Sequence, residues 1–254
     1  MTRSPVRRRV LLVVVLVAVL LLGYGAASAR PYLFRAPVVL GQDAVTDAAS
    51  ARARVSLEDV GGPVISIRPE SGDGKLLLIM YPGGLVRPQA YEWLGRALAD
   101  NDVQTVIPEM PLDLAVLDSG RADALVTRYA HGRPVVIAGH SLGGAMAAQW
   151  ASSHADQVAG MVLMAAYPPD GVTVTGIPVL SLLAENDRVA DPAKVRGGLA
   201  QLGDHAELVV VPGSVHAFFG RYGPQAGDGT PTVNREQAQE LIAETIGAFL
   251  TRIS

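Results

Sequence analysis

Short apolar runs of strand length alternate with stretches of helical spacing along most of the chain. Lys75–Tyr81 (KLLLIMY) is a continuous apolar run that stops at Pro-Gly-Gly, which predicts a central strand buried on both faces. Val103–Ile107, Pro134–Ala138, Val158–Ala165, Ile177–Leu183 and Glu207–Val211 predict further strands. Upstream, Val55–Leu57 and Val64–Ile67 flank Gly61-Gly62-Pro63, a hairpin signal. Pro88–Asp100 sets Trp93, Leu94, Ala97 and Leu98 on one helical face, and Arg121–Ala130 and Arg196–Leu202 predict shorter helices. Another helix starts near Ser141. The last helix has the clearest signal: Asn234 and Gln237 form a capping pair, and Ala238, Leu241, Ile242, Thr245, Ile246, Phe249 and Leu250 follow it at helical spacing. Strands alternating with helices predict an α/β fold, a mostly parallel central sheet with helices on both faces. Reactive groups in such sheets gather at the carboxyl ends of the strands.

The start of the chain follows another pattern. Arg3, Arg7, Arg8 and Arg9 precede an unbroken apolar run from Val10 to Leu22, which Gly23, Tyr24, Gly25, Ala26 and Ala27 extend weakly. Residues 1–29 therefore predict a targeting segment. As a signal anchor, Val10 to Ala29 reaches the ~20 residues a membrane span needs. As a signal peptide, Ala27-Ser28-Ala29 supplies the exit. The anchor is the preferred reading. It predicts a single-pass protein of the cell membrane with a cytoplasmic N-terminus and the folded domain outside, or a secreted one if the leader is cleaved. Residues 30–54, with Pro31, Pro37, Gly41 and scattered polar positions, predict a linker, and residues 55–254 one folded domain.

Composition narrows the function classes. With 49% apolar and 18% charged residues, the chain can build a large core. Four of its 21 basic residues lie within 1–29, so 17 remain against 24 acidic ones, a net of about −7 for the rest. A nucleic-acid partner needs a basic face and is excluded on that ground. The chain has no cysteine, which removes disulfides, thiolate chemistry and cysteine–zinc sites.

The chemistry concentrates where the strand ending at Ala138 runs into Gly139-His140-Ser141-Leu142-Gly143-Gly144. G-x-S-x-G between a strand and a helix exposes a serine hydroxyl on a strained turn and sets it at the positive end of a helix. Ser141 is the expected nucleophile. It needs a base, and of the five histidines His216 alone follows the last strand, after Pro212-Gly213-Ser214. The base needs an acid to hold its tautomer. Asp187, after the strand Ile177–Leu183, is the expected acid, with Glu185 and Asp191 as neighbouring rivals. Two N–H groups must face the developing oxyanion. One belongs to Leu142. The other belongs to the loop Pro82-Gly83-Gly84-Leu85, where Pro82 has no N–H, so Gly84 is preferred over Leu85. No metal or cofactor is required.

With these residues placed, the chain from about residue 55 onward resembles the α/β-hydrolase superfamily. More narrowly it resembles the small bacterial α/β-hydrolases of the "fold family 5" group, many of which carry an N-terminal membrane segment. The resemblance rests on Tyr81-Pro82-Gly83-Gly84, Gly139–Gly144, Asp187, His216-Ala217-Phe218-Phe219-Gly220, Tyr222-Gly223-Pro224-Gln225 and Gly227-Asp228-Gly229. Two positions depart from it: Pro82-Gly83 stands where many hydrolases have His-Gly, and Val215 where relatives have Asn. The resemblance implies a serine-hydrolase mechanism more than a substrate, and hydrolysis of a small-molecule carboxylic ester through an acyl-enzyme is the leading expectation. Acyl transfer to a cell-envelope acceptor and a non-catalytic binding module are the alternatives. Ala166 to Gly176 is too short to hold a cap domain, so an open pocket is expected, walled by Leu85, Phe218, Phe219 and Tyr222. The long loop Gly220–Val233 beside His216 is expected either to cover the acyl or alcohol site or to be a solvated loop leading into the last helix.

Overall fold

The structure is a computed structural model that describes residues 5–33, 35–41 and 52–253. It divides into two compact units, Met1–Pro37 and Val38–Ser254. Residues 34 and 42–51 of the expected linker lie outside the described residues.

The first unit contains the helix α1, Pro5–Leu33. Among the described residues no helix is long and apolar enough to cross a membrane. This corrects the expected signal anchor, transmembrane segment and single-pass localisation. The physical reason lies in how far the apolar run extends. Val10 to Leu22 spans roughly 20 Å at ~1.5 Å per residue, against a hydrocarbon core about 30 Å thick. Beyond Leu22 the helix continues through Gly23, Gly25, Ser28 and Arg30, which add length without apolar surface.

The second unit is built on an eight-stranded sheet in the order β1-β2-β4-β3-β5-β6-β7-β8. The strands are β1 Arg54–Asp59, β2 Pro63–Arg68, β3 Leu76–Tyr81, β4 Val103–Pro108, β5 Val135–His140, β6 Gly160–Met164, β7 Val179–Ala184 and β8 Ala206–Val211. The hairpin β1–β2 is antiparallel and joins β4 antiparallel; every pairing from β4 to β8 is parallel. Among the described residues the α-helices of this unit are α2 Glu92–Ala99, α3 Ala122–Tyr129, α4 Leu142–Ser153, α5 Pro192–Gly198 and α6 Arg235–Thr251.

The strand period of two separates the core into two layers. Leu76, Leu78 and Met80 of β3, with Val136 and Ala138 of β5, pack on Trp93, Leu94 and Leu98 of α2 and Ile242, Ile246 and Phe249 of α6. Leu77, Ile79 and Tyr81, with Val135 and Ile137, face the other way onto Leu125 of α3 and Met146, Ala147 and Trp150 of α4. Both faces of β3 and β5 are buried, so these strands read as continuous apolar runs rather than alternating ones. The capping box on α6 forms as the sequence predicts: the Gln237 N–H donates to Asn234 Oδ1 at 2.8 Å and the Asn234 N–H to Gln237 Oε1 at 3.3 Å. No helix or strand interrupts the connection from β6 to β7, so no cap is present there.

Strand order reverses at β3, which has β4 on one side and β5 on the other. The loops leaving β3 and β5 therefore diverge at the carboxyl ends of the two strands. Open α/β sheets bind ligands at such a point.

Candidate active site

Ser141 occupies the turn between β5 and α4 with φ 52° and ψ −123°, a sparsely populated conformation for a residue with a side chain. The surrounding backbone holds it there. The Ser141 N–H donates to the Met164 carbonyl at 3.0 Å, and the Ser141 carbonyl accepts from Ala145 N–H at 3.1 Å. Glycines make room for the turn. A Cβ at Gly139 would lie 2.5 Å from the Gly143 backbone, and one at Gly143 would overlap the carbonyl oxygens of Tyr81 and Pro82. The serine side chain thus stands at the start of α4, where helix N–H groups lack partners within the helix.

Both expected oxyanion donors lie beside this turn. Gly84 packs against Leu142, since a Cβ on Gly84 would come within 3.2 Å of Leu142 Cδ2. In the β3 loop the Gly83 N–H donates to Tyr91 Oη at 2.9 Å and the Leu85 N–H to the Asp113 carbonyl at 2.8 Å. Those two bonds use the donors on either side of Gly84. The N–H groups of Gly84 and Leu142 have no hydrogen-bond partner among the described residues.

His216 lies in a short 3-10 turn, His216–Phe219, and is 1% exposed. Its Nδ1–H donates to Asp187 Oδ2 at 2.8 Å. The other oxygen of Asp187 accepts the N–H groups of Val189 and Ala190, both at 2.8 Å, so the carboxylate is held on both sides. The rival acids have other partners. Asp191 caps α5 by accepting from the Ala193 N–H at 2.8 Å. Glu185 accepts from the Gly213 N–H at 2.7 Å and ties the β7 loop to the β8 loop. The structure thus brings Asp187 and His216 together in a pair. The imidazole of His216 also stacks obliquely on His140, the residue before Ser141, at 4.4 Å between ring centroids. The Ser141 hydroxyl has no hydrogen-bond partner among the described residues. Such contacts in ligand-free enzymes commonly close only in the substrate complex.

The expected pocket walls differ in character. Leu85 is exposed and holds a left-handed backbone, φ 60°. Phe219 is fully buried in the core and offers no surface to an open pocket. Phe218 is nearly buried, with the Arg235 guanidinium over its ring, and the half-buried Tyr222 donates its hydroxyl to Gln225 Oε1 at 2.9 Å. Burial, then the charges of Asp228 and Asp187, push the Tyr222 phenol upward. Val215, at the position where resembling proteins have Asn, is a buried core residue. Among the described residues no group of three or more His, Cys, Asp or Glu could hold a metal ion.

The sequence reading missed two residues of the site. Asp228, in the loop after His216, accepts the backbone N–H groups of His216 at 3.1 Å and Ala217 at 2.9 Å. Its place in a Gly-Asp-Gly motif was the only sequence signal. Tyr91, in the 3-10 turn Pro88–Tyr91 before α2, reaches the β3 loop and His140, and no motif marks it.

A strained serine at a strand–helix turn, with a buried Asp–His pair beside it on the same sheet edge, has the layout of an α/β-hydrolase. The chain matches the model of the alpha/beta hydrolase family over residues 77–240 and belongs to that family. Among solved structures, a predicted CIB-like hydrolase from Thermoplasma acidophilum aligns with a TM-score of 0.59 at 14% identity, covering 79% of this chain and 98% of its own. A dienelactone hydrolase from Anabaena variabilis aligns with a TM-score of 0.60 at 16% identity, with the same coverages of 79% and 98%. At those identities the likeness is one of fold. No curated protein matches the chain. Family and fold together support a hydrolytic enzyme.

Proposed function

We propose that this hydrolase is a serine esterase that cleaves carboxylic esters through an acyl-enzyme. The observation that carries the proposal is the buried 2.8 Å pair of Asp187 and His216 on the sheet edge where Ser141 stands in a strained turn. In this mechanism Ser141 Oγ attacks the ester carbonyl while His216 Nε2 takes its proton. The N–H groups of Leu142 and Gly84 hold the tetrahedral oxyanion. The imidazolium, oriented and stabilised by Asp187, returns the proton to the leaving alcohol. Water activated by His216 then releases the acid and restores the serine. Leu85, Leu112, Val116 and Leu117 are exposed on the two loops joined by the Leu85–Asp113 hydrogen bond, which supports an apolar acyl group beside the oxyanion donors. The tail motifs from His216 to Gly229 support a place among the small bacterial hydrolases of the narrower group.

The test is a panel of p-nitrophenyl esters of increasing acyl length, run beside Ser141→Ala and a fluorophosphonate label. Wild type should hydrolyse members of the panel and take the label. Ser141→Ala should take none and lose on the order of 10⁶-fold in kcat. A wild type that is inert to the whole panel and unlabelled would defeat the proposal.

A further inference from the structure

We infer that Tyr91 and His140 form a buried positioning pair that sets the oxyanion side of the site against its base side. The inference rests on the esterase reading above and extends it to two residues outside the serine–histidine–aspartate set.

The pair is a run of hydrogen bonds in the protein interior. The Gly83 N–H donates to Tyr91 Oη at 2.9 Å, and Tyr91 Oη lies 2.8 Å from His140 Nδ1. Tyr91 and His140 are both fully buried. The inventory of protons fixes the direction of the second bond. A phenol has one hydrogen. If His140 carried its proton on Nδ1 and donated to Tyr91, both the Tyr91 hydroxyl hydrogen and the partnerless His140 Nε2 would be buried unpaired, whereas donation by Tyr91 leaves only the Nε2–H unpaired. Tyr91 therefore donates to Nδ1, and His140 is neutral with its proton on Nε2. Burial first, and then the neighbouring His216, hold the His140 pKa well below its ordinary 6.5, which agrees with a neutral ring. Burial likewise raises the Tyr91 phenol, so it remains protonated and able to donate.

The same two side chains touch both halves of the site. On the oxyanion side, the Tyr91 bond fixes the peptide before Gly83, and the Leu85–Asp113 bond fixes the peptide after Gly84. The Gly84 N–H lies between these two anchors and is itself free. Gly83 has to be glycine for this contact, because a Cβ would come within 2.9 Å of both Tyr91 Oη and His140 Nδ1. On the base side, the His140 ring packs on His216 at 4.4 Å with the planes tilted by 43°. The backbone next to Tyr91 is also tied to the chain beyond His216, since Ala90 accepts the Arg221 N–H at 2.7 Å. The aim of the oxyanion donor and the seat of the imidazole are thus fixed by one buried contact. Neither residue touches the reacting atoms.

Removing the Tyr91 hydroxyl should free the Gly83 peptide and loosen the Gly84 donor. Loss of an entire oxyanion donor lowers turnover by about 10²–10³-fold, so a donor present but poorly aimed should lose about 10- to 100-fold. The experiment compares Tyr91→Phe, His140→Asn and His140→Leu with wild type. It reads kcat and KM on one p-nitrophenyl ester, the rate of fluorophosphonate labelling, and the melting temperature. Tyr91→Phe and His140→Leu should lose kcat and labelling rate in parallel, with KM within about twofold, at temperatures where both remain folded. His140→Asn places an amide oxygen near the position of Nδ1 and should keep turnover within about threefold of wild type. The inference is overturned if Tyr91→Phe turns over like wild type. It is also overturned if His140→Asn falls as far as His140→Leu, or if the losses follow melting and KM rather than kcat. Should Tyr91→Phe fail to fold, the two His140 variants decide alone. A labelled wild type with an unaffected Tyr91→Phe defeats only this pair; an unlabelled wild type defeats the esterase reading.

Discussion

Asp187 divides its two oxygens between two tasks: Oδ1 is held by the N–H groups of Val189 and Ala190, and Oδ2 faces the imidazole of His216. An amide in its place would present either an N–H₂ that cannot accept from Nδ1–H or an oxygen that carries no charge. In the proposed mechanism Asp187→Asn therefore favours the wrong tautomer and leaves the imidazolium unsupported, and kcat should fall by about 10³–10⁴-fold. Steady-state kinetics with a melting curve beside them checks this, and a fall of less than tenfold in a folded variant would count against Asp187. The placing of Asp187 beside His216 was legible in the sequence, because chain order and strand endings name few candidates. The jobs of Glu185 and Asp191 were not, because each depends on a backbone N–H whose direction no periodicity encodes. Asp228 and Tyr91 were hidden for the same reason. Each bonds a peptide group of another segment, His216 and Ala217 N–H for Asp228 and Gly83 N–H for Tyr91, and a reading of side-chain chemistry does not look for those.

Strands and long helices follow directly from apolar spacing, and the errors fall where a local bond sets a boundary. The segment read as a weak helix from Arg196 to Leu202 instead forms α5 at Pro192–Gly198, followed by a 3-10 turn at Leu199–Gln201. The cause is the Asp191-Pro192 step. Asp191 accepts the Ala193 N–H and Pro192 starts the helix without needing a donor, so the helix begins four residues before the apolar spacing suggests. Asp191→Ala should remove this cap and destabilise the protein by about 1 kcal/mol while leaving kcat unchanged. Chemical denaturation and esterase kinetics on the same sample test both halves, and a large loss of turnover would return Asp191 to contention as the acid. The N-terminal helix shows the opposite error. Its strongly apolar run was visible, but its length was overstated by counting Gly, Ala and Ser as membrane-compatible surface.

The second unit owes its site to one edge of one sheet, where the loops after β3, β5, β7 and β8 meet. The long segment Gly220–Val233, expected to cover the acyl or alcohol site or to be a solvated loop, has a demonstrable structural task there. Asp228 accepts the N–H groups of His216 and Ala217, and the Thr232 N–H donates to the Gly213 carbonyl. Gly229 lies so close to the Asn186 carbonyl in the acid loop that a side chain there would overlap it. This segment therefore adds a fastening between the loop bearing His216 and the loop bearing Asp187, which also meet through the imidazole–carboxylate bond, the Gly213–Glu185 bond and the Asn186–Ser214 backbone bond. Deleting Pro224–Gly229 would remove the fastening along with any cover it gives, so the deletion alone cannot separate the two roles. Asp228→Ala can, because it removes only the acceptor. Three hydrogen bonds to the carboxylate are lost, from the N–H groups of His216, Ala217 and Gly229, each worth about 1.5–3 kcal/mol, so stability should drop by about 4 kcal/mol or more. The same change releases the His216 backbone, and a base displaced by about 1 Å costs roughly 10²-fold in turnover. Acyl-length preference should stay as in wild type, since Asp228 bonds to backbone. A variant with lowered kcat, lowered stability and an unchanged ester profile would establish the segment as a brace. A shifted ester profile with intact turnover on short esters would identify it as a wall of the substrate site instead.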